Sequence, residues 1–478
     1  MSRGISVSVE DLTANAARNA RRYYRPNFHR STIYGCAFCI LIAQIYMFVG
    51  LLVTAHIPPR LQAYCNSGPY SGDEGTILEG ATLQALIVAI RHGDRAPLKQ
   101  IPGNPINLTC MLDRNLRKIV DRWPTRFSVR SLAPGSELQP SGRKVSVSLA
   151  PAQDRAGVCM EQELTPRGIG QHLELGRHLH SRYKELLSRA KPGNVFVRST
   201  NYNRTIQSAC AFLTSFLPDV RKTSPIHIAV QDDETRDILM GTAEFLGSHD
   251  PLPGQSIEGR CKKAVRLIAR MQSDLKREFP TVLLRRKLGK FWQHEIENAR
   301  DIADPIYASF CNNKTLPFNL ELAEELALEA DAFTCKYYMS DAGLLGKSLS
   351  FYPVIEKLIL QPLLEAAKEE PGHKSITVLS VHDSTLSPIL SSLGVFARPE
   401  FCNWIPYASR LVFELWRKDM VFFVRIYFNG NRVFDFHGDH QHNGLATLQD
   451  FAAGMRQVLK GKSWEDACRP DGVNSFTA

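Results

Sequence analysis

Residues 85–97 read ALIVAIRHGDRAP, an uncharged apolar run that leads directly into a cluster of charged side chains. A continuous apolar run of this length is typical of a strand buried on both faces of a sheet. In open α/β folds, sites lie in the loops that leave the carboxyl ends of such strands. The stretch therefore predicts an α/β protein whose functional site begins at Arg91.

The residue types after the strand point to phosphate chemistry. Arg91 and Arg95 flank His92, and a guanidinium group binds phosphate through two parallel hydrogen bonds. A histidine between two arginines could attack phosphorus while the arginines neutralise charge on the oxygens. A basic surface turn is the alternative. The pattern R-H-G-x-R-x-P should arise by chance in such a chain with a probability on the order of 10⁻⁴, which disfavours the turn.

The overall composition is that of a folded, basic protein. The chain has 478 residues, of which 44% are hydrophobic and 22% charged, and these values exclude wholesale disorder, collagen and coiled coil. At about 100–200 residues per domain, the length fits two or three units. The 58 basic and 48 acidic side chains leave a net charge of +10, which favours anionic partners without naming one.

A long apolar segment near the N-terminus predicts a membrane anchor. Residues 33–55 contain no charged side chain, and a helix of this length spans a hydrocarbon core of about 30 Å. Arginines cluster before it, and basic flanks stay in the cytosol. We therefore predict a type II membrane protein with a cytoplasmic tail (1–32), a transmembrane helix (33–55) and a lumenal stem (56–83). A cleaved signal peptide is the alternative, which the length of the run disfavours.

Cysteines and glycosylation sequons agree with a lumenal location. Nine of the eleven cysteines follow the apolar segment, and disulfides persist in the oxidising secretory compartments. Because nine is odd, at least one of these thiols stays free or pairs between chains. The pairing itself does not follow from the sequence. Three N-x-S/T sequons occur, at Asn107, Asn203 and Asn313.

The strand signals fall into two blocks that a helical segment separates. The first block, residues 84–216, contains the buried run described above. The second block, residues 346–478, contains further apolar runs at 376–381 and 421–428. Between them, residues 217–345 carry mainly helical periodicity. We predict an α/β fold in which helices sandwich a sheet, split in sequence by a mainly helical cap.

Four further motifs connect the quoted loop to a known family. They are Glu163-Leu-Thr-Pro-Arg-Gly168, Val197-Arg-Ser-Thr-Asn-Tyr-Asn-Arg-Thr205, Ser380-Val-His-Asp383 and Arg410-Leu-Val-Phe-Glu-Leu-Trp416. Together with R-H-G-x-R-x-P they resemble the blocks of the histidine acid phosphatases, a branch of the phosphoglycerate-mutase-like superfamily. The resemblance covers residues 84–435 and is weak through the cap. It implies the fold of that superfamily and hydrolysis of phosphomonoesters.

The resemblance also implies roles for six residues. His92 would be the nucleophile that becomes phosphohistidine, and Asp383 would donate a proton to the leaving oxygen. An acid is needed there because an alcohol leaves poorly as an alkoxide. The phosphate ligands would be Arg91, Arg95, Arg204 and His382. No metal or other cofactor is implied.

Two groups of residues outside these motifs complete the site prediction. The histidines of the run FHGDHQH, His437, His440 and His442, could suggest a metal site, but no cysteine or second cluster lies at ligand spacing from them, and we expect a solvated loop. We expect glycans on Asn107 and Asn313, since glycans occupy exposed loops. We expect none on Asn203, because it precedes Arg204 in the proposed phosphate pocket.

Features outside the motifs narrow the resemblance within the family. The anchor, Ala63-Tyr-Cys-Asn66, Phe216-Leu-Pro-Asp219 and Asp466-Ala-Cys468 resemble a type II Golgi enzyme that removes the 2-phosphate from xylose. That xylose belongs to the linkage region between glycosaminoglycan and protein. The resemblance implies a Golgi membrane protein that acts in the lumen on the phosphorylated linkage-region glycopeptide. The xylose kinase and glycosyltransferases of that pathway would be its other partners, and we expect no nucleic-acid partner.

Three other functions stay open on the sequence. The first is a broad-specificity membrane-bound acid phosphatase or phytase-like enzyme, which only the pocket lining from the cap would distinguish. The second is a mutase-type phosphotransferase, and the dipeptide His382-Asp383 argues against it because mutases lack it. The third is a non-catalytic lumenal scaffold for glycosyltransferases, which the six intact site residues disfavour.

Overall fold

The apolar run of the quoted stretch lies inside strand β1 (Ala81–Arg91), which is buried from Ala85 to its end. A computed structural model describes residues 58–66, 68–101, 103–190, 192–218, 225–233, 236–241, 261–289, 296–368, 375–433 and 445–469. The predicted tail and transmembrane helix lie outside these residues. Within the described ranges, no helix is both long and apolar enough to cross a membrane.

The strands of the described residues form one mixed sheet. Besides β1 they are β2 (Phe127–Leu132), β3 (Pro140–Lys144), β4 (Val195–Ser199), β5 (Ile226–Val230), β6 (Ile376–Val381), β7 (Arg410–Lys418), β8 (Val421–Phe428), β9 (Asn431–Arg432) and β10 (Ala446–Thr447). Their order is β10-β8-β7-β1-β6-β4-β5-β2-β3, with β9 paired to β8. The neighbours from β1 through β6, β4 and β5 to β2 are parallel, and antiparallel strands complete both edges.

Helices precede, connect and cap the strands. They are α1 (Pro59–Cys65), α2 (Arg114–Val120), α3 (Trp123–Arg126), α4 (Pro166–Arg182), α5 (Lys184–Arg189), α6 (Asn203–Phe216), α7 (Lys262–Glu278), α8 (Thr281–Leu288), α9 (Ala299–Cys311), α10 (Leu320–Met339), α11 (Asp341–Val354), α12 (Gln361–Ala367), α13 (Asp383–Ser392), α14 (Leu448–Arg456) and α15 (Trp464–Ala467). A π-helical segment, Ile355–Leu360, joins α11 to α12. Helix α4 begins at Pro166, because the Thr165 side chain accepts a hydrogen bond from the Gly168 N–H and proline is favoured in the first turn of a helix.

Alternate residues of β1 belong to two separate hydrophobic cores. Val88 and Ile90 join the core that contains the buried side chains of α4 and α6. Ile87 and Ala89 join the core that contains those of α9 to α13. Because successive strand residues point to opposite faces, both faces of the sheet are covered by helices. This confirms the predicted α/β arrangement.

The parallel register brings three carboxyl ends to one place. Arg91 at the end of β1 pairs with Val381 at the end of β6. Ser199 at the end of β4 pairs with Ser380. The residues that follow these three adjacent strands therefore emerge side by side at one edge of the sheet.

The structure differs from the prediction at the start of the cap. Residues 217–345 were predicted to be a mainly helical cap, and within this range β5 pairs with both β4 and β2 as part of the sheet. Strand β5 has only five residues, and its hydrophobic pattern is too short to be distinguished from the patterns of the helices around it. Helices α7 to α10 form the cap, and the described residues from 262 to 339 contain no strand.

Residues 58–80 are folded onto the sheet and do not form a separate stem. Tyr64 of α1 is fully buried and its ring stacks on Tyr307 of α9, with 3.6 Å between ring centroids. Glu74 is also buried, and it accepts a hydrogen bond of 2.7 Å from Arg410 Nε. The prediction was wrong here because the Pro, Gly and Ser content of this segment does not reveal its long-range contacts.

Four disulfides cross-link the described residues. They are Cys65–Cys311, Cys110–Cys159, Cys261–Cys468 and Cys335–Cys402. Cys210 is the free cysteine of this part of the chain, and it is buried in α6. The odd number of cysteines after the apolar segment is thus explained by one thiol inside the core.

We predict that removing the segment before β1 will unfold the protein. A secreted fragment that begins at Pro58 should fold, whereas one that begins at Gly80 should not, because it loses Tyr64, Glu74 and the Cys65–Cys311 disulfide. Loss of such a disulfide alone typically costs about 2–5 kcal/mol. Secretion yield and thermal melting of the two fragments measure the effect. Equal melting temperatures would show that residues 58–79 are a stem after all.

Candidate active site

The loop after β1 is held by main-chain hydrogen bonds and by a close contact with α4. His92 N–H donates to the Val381 carbonyl at 3.0 Å, which joins the ends of β1 and β6. A Cβ atom at Gly93 would lie 2.6 Å from the Gly168 carbonyl oxygen, a distance that no side chain tolerates. Glycine is therefore required at position 93, and it brings the loop against the first turn of α4.

One nitrogen of the His92 ring is left available as a nucleophile. His92 is 1% exposed, and its Nδ1 lies 2.9 Å from the Gly93 carbonyl oxygen. A carbonyl can only accept, so Nδ1 carries the proton and Nε2 keeps its lone pair. Burial lowers the pKa of the imidazole well below its usual value, and the charges of Arg91, Arg204 and Arg95 lower it further. The ring is therefore neutral at neutral pH.

The two other strand ends supply Arg204 and His382. Arg204 lies in the first turn of α6, where its guanidinium carbon is 4.4 Å from the centroid of the Tyr202 ring. His382 follows β6, and its Nε2 lies 3.0 Å from Thr200 Oγ1. The ring centroids of His382 and His92 are 5.4 Å apart. Sheet register thus brings together residues from three distant motifs.

Three arginines carry buried N–H groups that have no hydrogen-bond acceptor among the described residues. Arg91 donates Nη1 to the Ile405 carbonyl, which leaves its Nε and Nη2 without a hydrogen-bond partner. Nε of Arg95 and Nε of Arg204 likewise have no hydrogen-bond partner among the described residues. An unsatisfied buried donor costs about 1–3 kcal/mol, and more when it is charged. A tetrahedral oxyanion would satisfy these donors together, which makes the arrangement a built anion site.

Asp383 begins α13 and lies beside Arg91. Its Oδ1 is 3.4 Å from Arg91 Nε, and its Oδ2 accepts a hydrogen bond of 2.6 Å from the indole N–H of Trp404. Burial raises the pKa of the Asp383 carboxyl, but Arg91, the Trp404 indole and Arg300 outweigh burial and hold the pKa below its usual value. In the free protein the group is therefore a carboxylate at neutral pH.

Five of the six predicted site residues line one pocket of about 290 Å³. They are His92, Arg95, Arg204, His382 and Asp383. Arg91 is fully buried behind them, with its guanidinium carbon 4.7 Å from the centroid of the Tyr407 ring. The structure therefore brings all six residues together. Five of them form the pocket surface, and Arg91 lies buried beneath it.

Sequence reasoning missed the residues that line the pocket from the cap and from the loop before β7. Asp304 and Arg300 come from α9, and Trp404 comes from the loop. No motif or periodicity marks them, because each acts on the site through a contact distant in sequence. Arg198, the second residue of the motif Val197–Thr205, pairs with Asp237 at 2.7 Å and with Glu137 at 3.2 Å, so it forms structural ion pairs. The histidine run 437–442 lies outside the described residues.

Comparison with known proteins agrees with this geometry. The family model described as the histidine phosphatase superfamily (branch 2) matches residues 82–245 and 328–429, more than half of the chain. The chain is 26% identical over 446 residues to 2-phosphoxylose phosphatase 1 from Rattus norvegicus, covering 86% of each protein. It is 26% identical over 410 residues to counting factor 60 from Dictyostelium discoideum, covering 81% of this chain and 89% of that protein.

A further relative carries a phosphatase name. The chain is 24% identical over 370 residues to prostatic acid phosphatase from Rattus norvegicus, covering 72% of this chain and 78% of that protein. The family match and the named phosphatases support phosphomonoester hydrolysis by this chain. The chain belongs to branch 2 of the histidine phosphatase superfamily.

Proposed function

We propose that the protein hydrolyses phosphomonoesters through a phosphohistidine formed on Nε2 of His92. The observation that carries the proposal is the Nδ1 contact of 2.9 Å with the Gly93 carbonyl, which fixes the neutral tautomer with Nε2 as the nucleophile. The unpartnered guanidinium donors of Arg91, Arg95 and Arg204 supply the charge that holds the phosphoryl oxygens. His382 lines the same pocket and acts as a further phosphate ligand.

The reaction proceeds in two displacements. Nε2 of His92 attacks phosphorus, the bond from phosphorus to the alcohol oxygen breaks, and Asp383 transfers its proton to that oxygen. Water then attacks the phosphohistidine, and Asp383 takes one proton from it. The phosphorus–nitrogen bond breaks and inorganic phosphate leaves. Both steps pass through charge on the equatorial oxygens, which the three arginines stabilise.

The protonation of Asp383 depends on the substrate. Without a ligand, Arg91 contributes to the low pKa of the carboxyl. A phosphate beside Arg91 offsets that positive charge and adds a negative one, so it raises the pKa of Asp383 toward the protonated form. The acid is therefore formed when the substrate binds, and acidic conditions favour it.

For the substrate, we propose the 2-phosphate of xylose in the glycosaminoglycan–protein linkage region. Support comes from the name of the rat relative, which matches over 86% of both proteins, and from the net charge of +6 that the residues after position 30 carry. Four disulfides agree with a secretory compartment. We accordingly propose a Golgi membrane location with a lumenal catalytic unit. The linkage-region glycopeptide is the direct partner, and the xylose kinase and glycosyltransferases of the pathway are neighbours.

We predict that His92→Ala will lose activity by a factor on the order of 10⁴ or more, because no neighbouring group can form the covalent intermediate. Rapid quench of the wild-type protein with ³²P-labelled substrate, under conditions that preserve phosphohistidine, should trap the label on His92. The matched control is His227→Ala, which removes an exposed imidazole from β5. Label on another residue, or substantial turnover by His92→Ala, would contradict the mechanism.

We predict that the effect of Asp383→Asn will depend on the leaving group. A sugar alkoxide leaves poorly unless it is protonated, so kcat/KM on a 2-phosphoxyloside should fall about 10²–10⁴-fold. An activated aryl oxide needs little protonation, so kcat/KM on 4-nitrophenyl phosphate should fall far less.

The control for this experiment is His92→Ala. It should lose activity on both substrates to the same extent, because the nucleophile is needed whichever group departs. Thermal melting checks that each variant is folded. If Asp383→Asn lowers kcat/KM for both substrates by the same factor, Asp383 orients other groups and the leaving oxygen takes its proton from another source. A comparison of wild-type kcat/KM across unrelated phosphomonoesters separates a xylose-directed enzyme from a broad-specificity acid phosphatase.

We predict selective glycosylation of the three sequons. Asn107 and Asn313 are exposed and should carry glycan. Asn203 is half-buried, and its side-chain nitrogen donates a hydrogen bond of 3.0 Å to Glu163 Oε1, so a glycan there would break that contact beside Arg204. Site-resolved mass spectrometry of active protein from secretory cells measures the occupancy. High occupancy at Asn203 would mean that Arg204 is not a phosphate ligand, and unmodified Asn107 and Asn313 would argue against a lumenal location.

A further inference from the structure

The second arginine of the signature loop is held by a carboxylate from the cap. Arg95 donates Nη2 to Asp304 Oδ1 at 2.7 Å and Nη1 to Asp304 Oδ2 at 3.2 Å. Nη1 also donates to the Ala96 carbonyl at 3.0 Å. Both side chains of the ion pair are only 3% exposed. This is a two-pronged, charge-assisted contact in a site from which water is largely excluded.

The hydrogen bonds that Arg95 already donates determine which edge of its guanidinium group remains available to a ligand. A guanidinium group has five N–H donors, two on each Nη and one on Nε. Asp304 and Ala96 use both donors of Nη1 and one donor of Nη2. The remaining donors are the Nε–H, which has no partner among the described residues, and the second N–H of Nη2. These two lie parallel along one edge, in the arrangement that matches two oxygens of a phosphate.

Asp304 is itself fixed in place. Its Oδ2 also accepts a hydrogen bond of 2.6 Å from the Leu98 N–H, so one carboxylate grips both Arg95 and the loop after it. Helix α9, which carries Asp304, is anchored just beyond its end, where Asn312 donates to Asp94 Oδ2 at 2.9 Å. Its last residue, Cys311, is bonded to Cys65. Asp304 therefore cannot follow a rotation of the Arg95 guanidinium.

We propose that Asp304 is a positioning residue that sets which edge of Arg95 faces the reacting phosphate. The inference rests on the proposed function, in which Arg95 binds the phosphoryl oxygens. With Asp304 in place, the Nε and Nη2 edge points at the substrate before it arrives. Without that carboxylate, the long arginine side chain samples other rotamers. Each binding event must then restrict it to one rotamer again, which costs conformational entropy. The cap thus acts on the chemistry through the contact of Asp304 with Arg95.

The main test measures phosphate binding and turnover in Asp304→Asn, using the full-length protein. The amide keeps the size of the side chain but removes its charge and one acceptor oxygen. We expect kcat/KM on 4-nitrophenyl phosphate to fall about 10–100-fold, and the inhibition constant of inorganic phosphate to rise about tenfold. The matched control is Glu321→Gln, which makes the same charge change at an exposed position in the first turn of α10, away from the pocket, and should leave both values unchanged.

A double-mutant cycle with Arg95→Lys separates positioning from a structural role. Lysine carries the charge but has no edge to orient, so Asp304→Asn should change the phosphate inhibition constant less than about twofold in that background. If Asp304→Asn raises the constant by the same factor in both backgrounds, Asp304 does not act through Arg95. A lower melting temperature with an unchanged inhibition constant would likewise overturn the proposal.

Two further measurements keep the test decisive. If Asp304→Asn does not fold, Asp304→Glu replaces it, because the carboxylate is retained and the guanidinium is displaced by about one methylene. An unchanged phosphate constant in that folded variant contradicts the proposal. Direct calorimetric binding of inorganic phosphate distinguishes this inference from the proposed function. Absence of a phosphohistidine refutes the mechanism, whereas the binding cycle still decides the role of Asp304.

Discussion

Three guanidinium groups converge on one imidazole, and the free-energy cost of holding these buried cations together constrains the rest of the structure. Burial lowers the pKa of Arg204 to about 10, and the charge of Arg95 adds to that effect. Buried charges are tolerated only where partners compensate their desolvation. Here the compensation is unequal. Arg95 has the two-pronged carboxylate of Asp304, Arg91 has the more distant carboxylate of Asp383 together with aromatic rings and a carbonyl, and Arg204 rests over the ring of Tyr202.

These compensating groups explain why the catalytic unit includes segments outside the sheet. Tyr64 comes from the first helix of the described chain, and its ring lies 5.2 Å from the guanidinium carbon of Arg91. Asp304 comes from the cap helix, which stacks Tyr307 on Tyr64 and is joined to α1 by the Cys65–Cys311 disulfide. The N-terminal segment therefore supports Arg91 and the cap supports Arg95, while the disulfide and the stacked rings join these two supports to each other. Neither is dispensable for the geometry of the site.

The same positive field sets the protonation states that the chemistry needs. Burial and the charges of three arginines hold the pKa of His92 well below its usual value, so the ring is neutral at neutral pH. Arg91, the Trp404 indole and Arg300 outweigh burial and hold the pKa of Asp383 below its usual value, so the group is a carboxylate in the free protein. In the proposed mechanism, the arriving phosphate raises the pKa of Asp383, and Nε2 of His92 enters the reaction unprotonated. In that mechanism one pocket both attacks phosphorus and protonates the leaving oxygen.

The sequence by itself determined the α/β class and the buried strand before Arg91, and its short motifs marked six candidate site residues through their resemblance to a family, because these features are local. A buried strand is a contiguous apolar run, and each site residue lies within a short motif at a strand end. The tertiary structure alone decided the contacts of Asp304 with Arg95, of Trp404 with Asp383 and of Tyr64 with Tyr307, and the folding of residues 58–80 onto the sheet. The contacts of Asp304 and Tyr64 join residues more than two hundred positions apart, and the side-chain types of all three carry no periodic signal. Only the register of the strands and the packing of the cap bring them within hydrogen-bond distance.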